Sequence, residues 1–172
     1  NAITYIERAP EVRDVLISLA NEFFLISPGI FFDCSTGYYN GLWGGSGILT
    51  RGPYAYPKRA YVAYAVLTSV LDGVKFSRQL DTGSTTVYAV EFKRLDGKYV
   101  TAFWAARGDV VFAVACPTGR GELTAMYGRT GTLNGQSFQV ASGTSPAYLV
   151  TDRPLTSVTI ARSSLAASFG GK

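Results

Sequence analysis

The chain has 172 residues, 47% apolar and only 16% charged, with a formal net charge of +4 and no histidine. This composition excludes a disordered chain, and the cations (Arg51, Lys58, Arg59, Arg78, Lys93, Arg94, Arg107, Arg120, Arg129) are scattered, without the basic run that marks a nucleic-acid binder. The missing histidine removes the commonest metal ligand and neutral-pH acid/base, and no apolar run is long enough to span a bilayer as a helix.

In chain order, Ile3–Glu7 fits a short strand or the first turn of a helix. Pro10 and Glu11 then open a firmer helix whose apolar face carries Val12, Leu16, Leu19, Phe23 and Ile26, and Pro28-Gly29 stops it. The run Ile30–Ser35 is short, apolar and bounded by turn residues, as expected of a buried parallel strand. From Thr36 to Tyr56 runs a long loop with six glycines and the aromatics Tyr38, Tyr39, Trp43, Tyr54 and Tyr56. Loops of that length inside a compact domain are usually functional.

A helix follows, with Pro57 at its first position and Gly73 just past its end. Ala60, Tyr64, Leu67 and Leu71 recur at helical spacing, and Ala63, Val66 and Val70 widen the stripe, which predicts elements for it to pack on. Helix, buried strand, elaborate loop and helix make the rhythm of a β/α protein, in which loops at the strand C-terminal ends build the site.

Beyond Lys75 the period changes to two. Thr86–Arg94 sets Tyr88, Val90 and Phe92 against Val87, Ala89 and Glu91, and Asp96-Gly97 is a hairpin signal leading into Lys98–Ala106. Val110–Cys116, Glu122–Tyr127, Ser137–Ala141, Ala147–Thr151 and Thr156–Arg162 follow, separated by Gly, Asn, Ser or Pro clusters. Seven such strands predict an antiparallel sandwich. Phe103, Trp104, Phe112 and Tyr148 are its expected core, and Glu91, Lys93 and Arg94 its solvated face. Gly119-Arg120-Gly121 and Gly128-Arg129-Thr130-Gly131 lack the strand-then-helix context of a phosphate loop. Ser163 to Lys172 reads as a frayed tail.

The predicted fold class is therefore α/β plus all-β: the last elements of a (β/α)8 barrel over residues 1–76, then an antiparallel β-sandwich over 77–162. Residues 1–76 hold only one or two of the eight units a barrel needs. The start at Asn1 fits a processed or truncated chain, and a second polypeptide or missing N-terminal part is the expected partner completing the barrel.

Several stretches resemble the C-terminal end of retaining glycoside hydrolases of the β-xylosidase and α-L-iduronidase type, which carry a β/α barrel followed by a β-sandwich. They are Gly41-Leu42-Trp43-Gly44, Pro57–Ala63, Leu71–Phe76, Val87–Arg94 with Asp96–Trp104, and Ser145–Leu149, with Tyr5-Ile6-Glu7-Arg8 resembling the start of the seventh barrel helix. The resemblance implies hydrolysis of a glycosidic bond with both catalytic carboxylates before Asn1, so that this chain alone is inactive. Such chemistry needs two carboxyl groups about 5–5.5 Å apart. No cofactor is implied.

Glu7 is the one alternative nucleophile, at a strand end if Ile3–Glu7 is the seventh strand, and otherwise a solvated helix residue. Asp33 closes a buried strand, where it either bonds a sugar hydroxyl or caps loop N–H groups. Tyr38, Tyr39 and Trp43 either stack on sugar rings or pack the loop on its rim. Carbohydrate is thus the expected ligand, an extracellular or secreted setting the expected location, and neither nucleic acid nor membrane an expected partner. A non-catalytic carbohydrate-binding or structural subunit is the alternative. Cys34 and Cys116 are either buried free thiols or a lone disulfide.

Overall fold

The computed structural model of the chain describes Leu49 and residues 56–164. Two compact units divide between Leu67 and Thr68. Among the described residues there is one helix, α1 (Arg59–Val70), followed by nine strands: β1 (Lys75–Leu80), β2 (Val87–Lys93), β3 (Tyr99–Ala105), β4 (Val110–Ala115), β5 (Arg120–Ala125), β6 (Thr130–Asn134), β7 (Ser137–Ser142), β8 (Ala147–Thr151) and β9 (Ser157–Ser163).

Helix α1 begins later than its sequence signals predict. Its first turn is closed by Tyr61 N–H donating to the Lys58 carbonyl at 3.0 Å. Pro57 lies ahead of the helix, in an isolated antiparallel bridge with Leu49. At the other end Gly73 takes the left-handed conformation, φ 61°, that terminates a helix without steric cost. Ala60 and Ala63 are the buried members of the stripe, whereas Tyr64 is exposed.

The strands form a six-stranded sheet, order β1-β2-β3-β8-β5-β6, and a three-stranded sheet, order β7-β4-β9. Every strand pair is antiparallel. This corrects the expectation of terminal barrel elements. A barrel of that kind is built from parallel strands joined through helices. Here α1 leads into β1, which pairs antiparallel with β2, and the strands that follow continue without an intervening helix. The stretches expected to carry the earlier barrel elements, 1–26 and 30–35, lie outside the described residues.

The sandwich core sits between the sheets. Val87, Ala89, Phe103, Ala105, Ala147 and Leu149 of the larger sheet meet Val110, Phe112, Val114, Phe138, Val140 and Val158 of the smaller. The Phe103 and Phe112 rings touch across the interface at 5.0 Å between centroids, and both are fully buried. At about 25 cal/mol per Å² of apolar surface removed from water, each such ring is worth several kcal/mol.

Trp104 and Tyr148 are placed otherwise than expected. They alternate with Phe103, Ala147 and Leu149, so they face away from the inter-sheet core. Trp104 stacks on Tyr88, its cross-strand partner, at 5.1 Å and 17°. Tyr148 is nonetheless only 3% exposed, and burial raises its phenol above the ordinary tyrosine value.

Strands β1 and β6 were not expected from the sequence, and both are sheet edges. In β1 only Leu80 is buried, and β6 has no buried residue, so neither carries the alternation that identifies a strand. The expected Asp96-Gly97 hairpin forms with a wider loop. Gly97 N–H donates to the Arg94 carbonyl at 3.1 Å, Arg94 N–H to the Lys98 carbonyl at 2.8 Å, and Gly97 carries a positive φ of 85°. Ser164, the last described residue, is tied to Asp109: its N–H donates to the Asp109 carbonyl and its hydroxyl accepts from Asp109 N–H, both at 2.9 Å.

Candidate functional site

The five residues singled out for chemistry, Glu7, Asp33, Tyr38, Tyr39 and Trp43, all lie outside the described residues, as does Cys34. Cys116 is a buried free thiol. Its sulfur lies 3.1 Å from the Thr118 hydroxyl and 3.6 Å from the Arg120 carbonyl.

Two polar constellations stand out in the sandwich. The first surrounds Glu91, which is completely buried and not part of a solvated face. Glu91 lies on the same side of β2 as Val87 and Ala89, facing the other sheet. Its carboxylate accepts from Arg78 Nε at 2.9 Å and Nη2 at 3.4 Å, from Leu155 N–H at 2.9 Å, and from Ser77 Oγ at 3.4 Å. Arg78 Nη2 also donates to the Leu155 carbonyl at 2.6 Å.

Leu155 belongs to the connection that leaves β8 in the larger sheet and enters β9 in the smaller. Glu91 and Arg78 therefore satisfy both backbone groups of Leu155, whose side chain enters the core at 2% exposure. Thr151 adds a further tie, donating its hydroxyl to the Arg153 carbonyl at 2.7 Å. The ion pair is thus a latch on the crossover between sheets. Beside it, the Thr101 hydroxyl, opposite Glu91 on β3, is buried without a hydrogen-bond partner.

The second constellation is a concavity of about 270 Å³ lined by Lys98, Arg120, Gly121, Glu122, Thr132, Val150, Thr151 and Asp152. Strand register explains how residues so distant in sequence meet. Tyr99 pairs with Thr151, which brings Lys98 beside Asp152, and their charged atoms lie 4.0 Å apart. Glu122 pairs with Val150 on one side and Thr132 on the other. Arg120 lies two residues before Glu122, on the same face of β5. Lysine and arginine are thus matched by aspartate and glutamate, so the formal charges of the described lining cancel. Arg120 and Glu122 form no ion pair among the described residues.

Turn chemistry places both cations. Gly97 precedes Lys98 and Gly119 precedes Arg120, each glycine at positive φ, and Gly119 N–H donates to the Cys116 carbonyl at 3.2 Å as Gly97 does to Arg94. Gly121 is needed for another reason. A Cβ there would come within 2.7 Å of Leu149 Cδ1 and 3.3 Å of Phe138 Cε2. Sequence reasoning missed the groove. The one available signal was the repeated turn-Gly-cation pattern, which is read as a rejected phosphate loop at Gly119-Arg120-Gly121.

No protein-family model matches the chain, and no curated protein matches it. Among solved structures, the crystal structure of a protein of unknown function (DUF1255) from Acinetobacter sp. ADP1 is similar at 19% identity, over 49% of this chain and 90% of that one, with a TM-score of 0.21. A likeness at that level carries no argument about fold or function.

Proposed function

We propose that the chain is the C-terminal portion of a glycoside hydrolase, with residues 75–163 forming an accessory β-sandwich and the bond-cleaving carboxylates supplied by sequence outside this chain. The observation that supports the reading is strand adjacency. The stretches of the sandwich that resemble such enzymes, Val87–Trp104 and Ser145–Leu149, supply β2, β3 and β8, three neighbouring strands of one sheet. Three of the described carboxylates are spent on the scaffold. Glu91 holds the crossover, Asp81 accepts from Gly83 N–H within a turn, and Asp96 accepts from Lys98 N–H in the hairpin.

The test compares the native polypeptide bearing this sequence, sized by intact mass, with the 172-residue chain on a panel of aryl glycosides. Release of the aryl group by the native material and none by the 172-residue chain is the expected result. Turnover by the 172-residue chain overturns the accessory assignment. Inactivity of both overturns the hydrolase reading and leaves the second one, a non-catalytic carbohydrate-binding subunit. That second reading is favoured by the polar groove on the larger sheet.

A further inference from the structure

We infer that the groove between Lys98, Arg120, Glu122, Thr132 and Asp152 is a binding site for a single neutral sugar ring within a glycan; the inference rests on the carbohydrate context proposed above. Its lining among the described residues carries two cations and two carboxylates, which cancel. A net anion such as phosphate would gain from Lys98 and Arg120 but would meet Glu122 and Asp152, and a net cation would meet the converse. A ligand that both donates and accepts at each position suits all four. Hydroxyl groups do this, since each has one O–H donor and two lone pairs.

Size and spacing point the same way. Neighbouring strands lie about 4.8 Å apart, so the polar positions at Asp152 just past β8, at Arg120 and Glu122 on β5 and at Thr132 on β6 are spaced by about the width of a six-membered ring. A volume of about 270 Å³ falls just below the ~300–1,000 Å³ typical of pockets for drug-sized ligands. One ring fits, with its chain continuing into solvent past β6, the edge strand. Arg120 and Glu122 form no ion pair among the described residues, so a ligand need not break one to reach them. Among the described residues none of the lining side chains is aromatic. Without the stacking platform that gives tight sugar binding, weak binding in the millimolar range is the expected result.

The test is an amide-resolved NMR titration of the 172-residue chain with xylohexaose and cellohexaose, with glycine and inorganic phosphate as charged controls. Saturable shifts at Gly121, Glu122, Thr132 and Val150 with one or both oligosaccharides are expected, weakened about tenfold or more in Glu122→Gln and in Arg120→Ala, because each removes a charge-assisted hydrogen bond. Both side chains are exposed, so the variants keep the dispersed spectrum of the folded chain. Three outcomes overturn the inference: no shift with either oligosaccharide, shifts with phosphate or glycine alone, or oligosaccharide shifts elsewhere that both variants leave unchanged. The last of these leaves the carbohydrate reading standing while removing this site, so the two failures are distinguishable.

Discussion

Replacing Arg78 by methionine tests whether the Glu91 latch stabilises the sandwich. The substitution keeps much of the side-chain volume and removes the guanidinium. Glu91, at 0% exposure, would retain the Leu155 N–H at 2.9 Å and the longer Ser77 hydroxyl contact, against a full negative charge. Breaking a fully buried pair costs about 3–5 kcal/mol. The Arg78 side chain is 45% exposed, so water reaches the vacated side and screens part of that loss. The expected cost is therefore about 2–3 kcal/mol, or a fall in Tm of roughly 4–12 °C for a chain of this size. Glu91→Gln, which keeps an acceptor for Leu155 N–H, is expected to cost less, about 1–2 kcal/mol. The double variant Arg78→Met/Glu91→Gln leaves no buried charge, so its cost should fall short of the sum of the single losses by about 1–3 kcal/mol. Urea denaturation followed by circular dichroism measures all four corners of the cycle. Arg78→Met within about 0.5 kcal/mol of the parent, or strict additivity in the double variant, would refute the reasoning.

Three further outcomes follow from the packing. Gly121→Val drives a side chain into Leu149 and Phe138, both core residues with little room to move, and is expected to cost about 1–3 kcal/mol by urea denaturation. Gly97→Ala meets nothing within 4 Å, so only its φ of 85° matters; a loss of about 1 kcal/mol is expected, and no loss would show that the hairpin turn relaxes. The buried Tyr148 has a folded pKa raised above its unfolded value of 10.0. The unfolded chain therefore releases this proton first, and the contribution present below pH 10 is lost as pH rises toward the folded value. Between about pH 8 and 11 the parent should lose more stability than Tyr148→Phe, and equal losses would contradict the burial.

Much of the sandwich was legible where burial alternates. In β2, Val87, Ala89 and Glu91 share one face as their spacing required, and that face is the buried one; the charge on Glu91 was what disguised it as solvated. Its counter-charge, Arg78, sits on β1, an edge strand with one buried residue and so no readable period. The same weakness hid β6. Trp104 and Tyr148 were correctly placed on strands, but hydrophobicity alone does not say which face of a sheet meets the other sheet. The barrel expectation failed because a helix followed by a strand has the same local pattern whether the next pairing is parallel or antiparallel.

Local pattern by itself determined an ordered, β-rich C-terminal half, the positive-φ turns at Gly73 and Gly97, and the strands whose faces differ in burial. Tertiary structure alone decided what those strands bring together. The order β3-β8-β5-β6 sets Lys98 beside Asp152 and Glu122 beside Thr132, and the β8–β9 crossover carries Leu155 to Glu91. The physical reason is range. Side-chain period and turn chemistry act over a few residues, whereas strand order is set by which faces exclude water together, a property of the whole sheet that no short window contains.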